Sequence, residues 1–96
     1  MKLAAIPVAH TQYKVRFTKK PPKLGGKECH GHCDVNTKTI TIWRNPNATA
    51  LRSTLLHEWL HAVFYELGWE SLCDDHSVIV ALEISLMRLR LEVPSL

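Results

Sequence analysis

Polar and apolar residues alternate from Gln12 to Thr18, with Tyr13, Val15 and Phe17 on one side, which predicts a β-strand with one buried face. Residues 38–43, Lys38-Thr39-Ile40-Thr41-Ile42-Trp43, predict a second strand. β-Branched residues dominate it, and Thr39 and Thr41 face away from Ile40 and Ile42. Between them, Lys19 to Lys27 holds Pro21-Pro22 and Gly25-Gly26 and reads as an exposed loop. A short strand around Glu28 to Cys33 is expected to pair with 38–43 as a hairpin, through the turn Asp34-Val35-Asn36-Thr37.

After Trp43 the period changes. Asn45-Pro46-Asn47 breaks the strand and supplies a helix cap, and the helix is expected to run to about Leu67 and stop at Gly68. Leu56, Leu60, Val63 and Leu67 recur at helical spacing and predict its core stripe. Trp69 to Cys73 reads as a linker. Asp74 or Asp75 then caps a second helix reaching about Leu91, before Pro94, with Val78, Leu82, Leu86 and Leu89 (and Ala81 and Ser85) turned inward. The fold class that follows is α+β, a small antiparallel sheet followed by two packed helices. Ninety-six residues make a single domain, 1–96, with 1–11 and 92–96 expected as loosely ordered ends.

Composition adds bounds. At 46% hydrophobic residues the chain supports one core of modest size, to which a bound metal would add stability. No apolar run approaches the roughly 18 residues of a membrane span. The stretch from Met1 to His10 is too weakly apolar for a secretory signal, so a cytoplasmic protein with no membrane partner is expected. Three cysteines, Cys29, Cys33 and Cys73, are an odd number and fit reduced thiols better than a disulfide framework. Residues 1–44 carry nine Lys/Arg against Glu28 and Asp34, whereas residues 45–96 carry three against seven acids. A basic half can meet an acidic partner or nucleic acid. With no aromatic platform or known DNA-binding motif beside it, the charge is read here as a solvated face, and nucleic acid is not an expected partner.

The candidate chemistry lies on the first helix. His57-Glu58-Trp59-Leu60-His61 is an HExxH pattern, and positions i and i+4 of a helix stand one turn apart on the same face. His57 and His61 can thus bring two imidazoles to one Zn²⁺, with Glu58 beside them as general base for a zinc-bound water. A hydrolytic zinc site needs a third protein ligand. The start of the second helix offers His76, giving a three-histidine site, or Asp75, giving two histidines and a carboxylate; periodicity does not separate them. Asp74 reads as a cap, and Glu83 as two turns too far along. A peptide substrate could add to strand 38–43 if that strand is a sheet edge over the site. Tyr65 is a candidate oxyanion stabiliser, with rim packing as its plainer role. The cluster Cys29-His30-Gly31-His32-Cys33 has metal-ligand chemistry, but it lacks a second pair at regular spacing and is read as a turn carrying buried thiols.

These features together carry a resemblance. The turn at Asp34, the strand Thr39-Ile40-Thr41-Ile42, then Thr54-Leu55-Leu56-His57-Glu58-x-x-His61-Ala62, Gly68 and Asp75-His76-x-Val78-x-x-Ala81-Leu82 resemble small phage and prophage zinc metallopeptidase-like proteins. The chain is similar, over about residues 30–90, to a minimal version of the ImmA/IrrE peptidase group, in the gluzincin style. The resemblance implies a minimal zincin-like fold, Zn²⁺ as cofactor, peptide-bond hydrolysis in a bacterial host cell, and a regulatory protein as substrate. It implies an acidic third ligand opening the second helix in an E-x-x-A/V setting; here Asp75 stands three residues before Val78 and no Glu does. Two other readings fit the sequence: a catalytically silent, metal-stabilised binding or regulatory protein of phage origin, and a basic nucleic-acid-associated factor. Glu58 favours the enzyme over the silent scaffold, because a purely structural site has no need of that base.

Overall fold

In the computed structural model, which describes residues 5–92, the chain runs β1 (Ala5–Val8), β2 (Thr11–Thr18), β3 (Lys23–Leu24), β4 (Lys27–Glu28), β5 (Gly31–Asp34), β6 (Thr39–Trp43), α1 (Ala48–Glu66), α2 (Glu70–Cys73) and α3 (His76–Glu92). Four strands make one sheet in the order β1-β2-β6-β5. The expected hairpin is there, with β5 antiparallel to β6 from Gly31↔Ile42 to Asp34↔Thr39. Its turn is held by Asp34, whose Oδ1 accepts from the backbone N–H of Asn36 at 3.0 Å and of Thr37 at 3.2 Å. β1 is antiparallel to β2, and β2 is parallel to β6. The fold is thus α+β with a mainly antiparallel sheet.

Several placements differ from the sequence expectation, among them Glu70–Cys73, expected as linker, which form the short helix α2. Residues 38–43 are not an edge: β6 inserts between β2 and β5, so the free edge beside the helices is β5. Within the segments expected to be loose ends, Ala5–Val8 pairs with β2, Thr11 opens β2 and Glu92 ends α3; residues 1–4 and 93–96 lie outside the described residues. The loop from Lys19 to Lys27 carries a small hairpin, β3–β4, turning through Gly25 and Gly26 at φ 57° and 82°. A two-residue turn with both φ values positive strongly favours glycine.

Helix α1 covers one side of the sheet. Val8, Tyr13, Val15, Ile40, Ile42 and Ala62 are buried there, joined by Leu51, Leu55, Trp59 and Val63. A second cluster, Leu60, Phe64 and Ile79 with Leu56 and Val78, lies between α1 and α3. Residues two apart on a helix point about 200° apart, so Leu60 and Ala62 face opposite ways and α1 is buried on two sides. Only part of the predicted stripe is core: Leu67 is 45% exposed. Asn47 caps the start by accepting from Ala50 N–H at 3.0 Å. At the end, Gly68 N–H donates to Tyr65 C=O and Trp69 N–H to Phe64 C=O, a Schellman stop with Gly68 at φ 79°.

Helix α3 is turned relative to the expectation. Ile79 is fully buried, whereas Leu82, Leu86 and Leu89 are 36%, 38% and 45% exposed. The face against α1 is His76, Ile79 and Glu83, about a quarter-turn from the predicted Val78-Leu82-Leu86-Leu89 face. No described helix is long and apolar enough to cross a membrane.

One polar cluster ties the end of α1 to the sheet. Glu66 accepts from Tyr13 Oη at 2.7 Å and from Lys38 Nζ at 2.8 Å. The Lys38 and Tyr13 hydrogen bonds hold the Glu66 carboxyl below its ordinary range. A folded-state pKa below the unfolded one contributes stability that is present above the unfolded pKa, about 4.3, and is lost as pH falls through the folded value. Glu66→Gln is therefore expected to lower the melting temperature at pH 7, with the gap to wild type closing as melts are taken below pH ~4. A gap unchanged at low pH would refute the assignment.

Candidate metal centre

The site forms where α1 and α3 run antiparallel, in the gap between the two buried sides of α1. His57 and His61 both point into that gap, and their Nε2 atoms are 3.3 Å apart. Their other ring nitrogens are engaged. His57 Nδ1 lies 2.7 Å from Glu83 Oε1, and His61 Nδ1 lies 2.8 Å from the Cys73 carbonyl oxygen. A carboxylate and a carbonyl accept only, so both rings donate through Nδ1 and, when neutral, turn the Nε2 lone pair inward. Two lone pairs 3.3 Å apart repel unless a cation lies between them. Two nitrogens each about 2.0–2.1 Å from a tetrahedral zinc ion stand about 3.3–3.4 Å apart, so the pair fits that ion.

His76 completes the group. Its ring centroid is 4.7 Å from that of His57 and 6.0 Å from that of His61. One ligand nitrogen from each of the three lies within 4.8 Å of the others, the one such metal-competent group among the described residues. Of the two candidates for third ligand, the structure brings His76 to the pair and not Asp75. The Asp75 carboxylate caps α3, accepting from Ser77 Oγ at 2.6 Å and Ser77 N–H at 3.1 Å. Asp75 precedes the first turn of α3, and its carboxylate turns onto the helix's own first N–H groups, Ser77 and Val78, and not toward the two histidines.

Glu83 is the residue that sequence reasoning set aside. It stands seven positions after His76, two turns along the same face, and it reaches His57 because α3 runs back along α1. Ser53 Oγ donates to its other oxygen. Such a carboxylate fixes the ring and tautomer of a ligating histidine. Its signal was the i, i+7 spacing from His76.

Glu58 lies on the side of α1 that meets β5. Burial, the largest effect, raises its pKa; His57 pulls it down and Glu83 pushes it up again. Gly31 on β5 is what admits it: a Cβ there would lie 3.2 Å from Glu58 Cγ and 2.7 Å from Thr54 Cγ2. Burial also lowers the pKa of His61, keeping that ring in the neutral form that binds metal. Two cavities flank the histidines. One, of about 420 Å³, brings Glu58, Glu83 and His76 together with the start of β5; the other, of about 300 Å³, lies toward Leu24, Cys33 and Cys73.

The segment Cys29 to Cys33 is not a turn but runs into β5, with His32 alternating against Gly31 and Cys33. Burial pushes the Cys33 thiol up to about 12 and raises Cys73 as well, and neither sulfur belongs to the metal-competent group. Tyr65 borders a different cavity, with Val35 and Glu70, and is a rim residue. No family model, no curated protein and no solved structure matches this chain.

Proposed function

We propose that the protein is a zinc-dependent metallopeptidase, with His57, His61 and His76 holding the ion and Glu58 as the general base. The observation that carries this reading is the pair of Nε2 atoms 3.3 Å apart with both Nδ1 atoms engaged, beside a half-buried carboxylate at the next position in the chain. An all-imidazole donor set suits zinc. Bound there, zinc supplies Lewis acidity toward a carbonyl and toward water.

The chain's own residues do the rest. Glu58 takes a proton from the attacking water and returns it to the leaving amine, a role for which a raised carboxylate pKa is suited. Glu83 and the Cys73 carbonyl hold the two imidazoles in the binding tautomer. The free edge of β5 runs past Glu58 and offers unpaired backbone groups to an extended peptide, which would add as a fifth strand. The sequence resemblance extends the reading to a phage or prophage protein acting on a regulator in a bacterial cytoplasm.

The test is hydrolysis of an unstructured protein such as β-casein by purified chain. Cleavage is expected with one equivalent of zinc, lost on dialysis against a chelator and restored by zinc alone. Stoichiometric zinc binding with no cleavage of any protein offered would leave the non-catalytic scaffold as the better reading.

A further inference from the structure

All three helices follow the strands, and α1 packs on one side of the sheet only, through Tyr13, Val15, Ile40 and Ile42. Among the described residues, no helix packs on the opposite side. Strand register places its side chains in rows. Arg16, Thr41 and His32 stand side by side across β2, β6 and β5; Lys14 lies beside Thr39 in the next row, and Trp43 lies beside Thr18 in the row beyond. His30, just before β5, sets its ring against Trp43 with centroids 5.1 Å apart. Lys14, Arg16 and His30 are exposed and Trp43 is half-buried. Among the described residues no carboxylate pairs with Lys14 or Arg16, and Asp34 is the one acid on this side of the sheet. The exposed Lys19, Lys20, Lys23 and Lys27 continue the positive charge beyond the end of β2.

We propose that this open face of the sheet binds single-stranded nucleic acid, with Lys14 and Arg16 on phosphates and the Trp43–His30 pair as a stacking platform. The sequence alone gave charge without an aromatic partner. The fold supplies that partner by putting Trp43 on the basic side of β6. Charge complementarity selects a polyanion, and the exposed His30 ring set against the half-buried Trp43 within a basic surface selects one with bases to stack. Stacking on an aromatic ring needs a base whose face is open, which favours single strands over a duplex. This site lies on the other side of the sheet from the three histidines and does not depend on the peptidase reading.

The experiment is fluorescence anisotropy with a labelled oligothymidylate or oligouridylate of about 15 nucleotides, titrated with the full chain at several salt concentrations. Binding that weakens with salt is expected. Lys14→Glu with Arg16→Glu should weaken it more than tenfold. Lys14→Ala with Arg16→Ala should reduce the log–log salt slope by about 1.4, two phosphate contacts at about 0.7 each. Trp43→Leu should weaken binding about tenfold with the salt slope unchanged. His30→Ala, at an exposed ring, is the companion variant if Trp43→Leu disturbs the strand. The melting temperature of the Lys14/Arg16 variants should stay close to wild type, which separates loss of this face from loss of the fold. No binding at low salt, equal affinity for a duplex, or equal competition by polyglutamate would each overturn the proposal; the last would point to an acidic protein.

Discussion

Wild-type chain is expected to bind about one zinc per molecule and the His57→Ala variant none, by elemental analysis after dialysis. Removing His57 takes away one imidazole and leaves Glu83 without the ring it orients, so both the donor and its support go together. The same loss is expected of His61→Ala. Stability reports it too. An ion present at a hundredfold excess over its dissociation constant adds about 2.7 kcal/mol to the folded state. For a domain of this size that corresponds to roughly 10–20 °C in melting temperature. Wild type should show that rise on adding zinc and His57→Ala should not. The third position divides the two candidates cleanly. His76→Ala should lose most of the zinc-induced rise, while Asp75→Ala should keep it and lose only the modest contribution of a helix cap, about 1 kcal/mol. A zinc-free wild type, or a His57→Ala chain that still rises with zinc, would remove the metal site.

Glu58→Gln is expected to keep zinc and lose hydrolysis. The amide has nearly the shape of the carboxylate, so it fits under Gly31 as Glu58 does, and the imidazoles are untouched. What it lacks is basicity. Loss of a positioned general base lowers kcat by about 10²–10⁴, with KM little changed because the substrate is held by the cleft and the strand edge. Zinc content equal to wild type is the control that makes the loss informative. Hydrolysis persisting at the wild-type rate in this variant would remove Glu58 from the mechanism, and loss of zinc would assign it to the metal site instead.

Much of the architecture follows from local chemistry. The alternation in 12–18 and 38–43 marks two strands, and the Asn47 cap and Gly68 stop bound the motif helix. Those signals are local: side-chain period and caps act within a few residues. The differences that bear on the site arise where distant segments choose partners. β6 carries its apolar residues on one face whether it sits at an edge or inside, so alternation alone does not reveal that β2 pairs with it in parallel. Leu82, Leu86 and Leu89 make a tidier apolar stripe than Ile79 with its polar neighbours, so periodicity favoured the wrong face of α3. The face that wins buries Ile79 completely and satisfies Glu83 with Ser53 and His57. That pairing is between helices and leaves no trace in either helix alone.

The candidate metal centre divides the same way. His57, Glu58 and His61 were legible because a single helix sets their relation: four residues are close to one turn, whatever the helix packs against. The choice of His76 over Asp75, the orienting role of Glu83, and the admission of Glu58 beneath Gly31 were decided by the fold. Each depends on how α3 rotates against α1 or how closely β5 approaches it. Rotation and approach are fixed by burial summed over the whole contact, and no single stretch of sequence contains that sum.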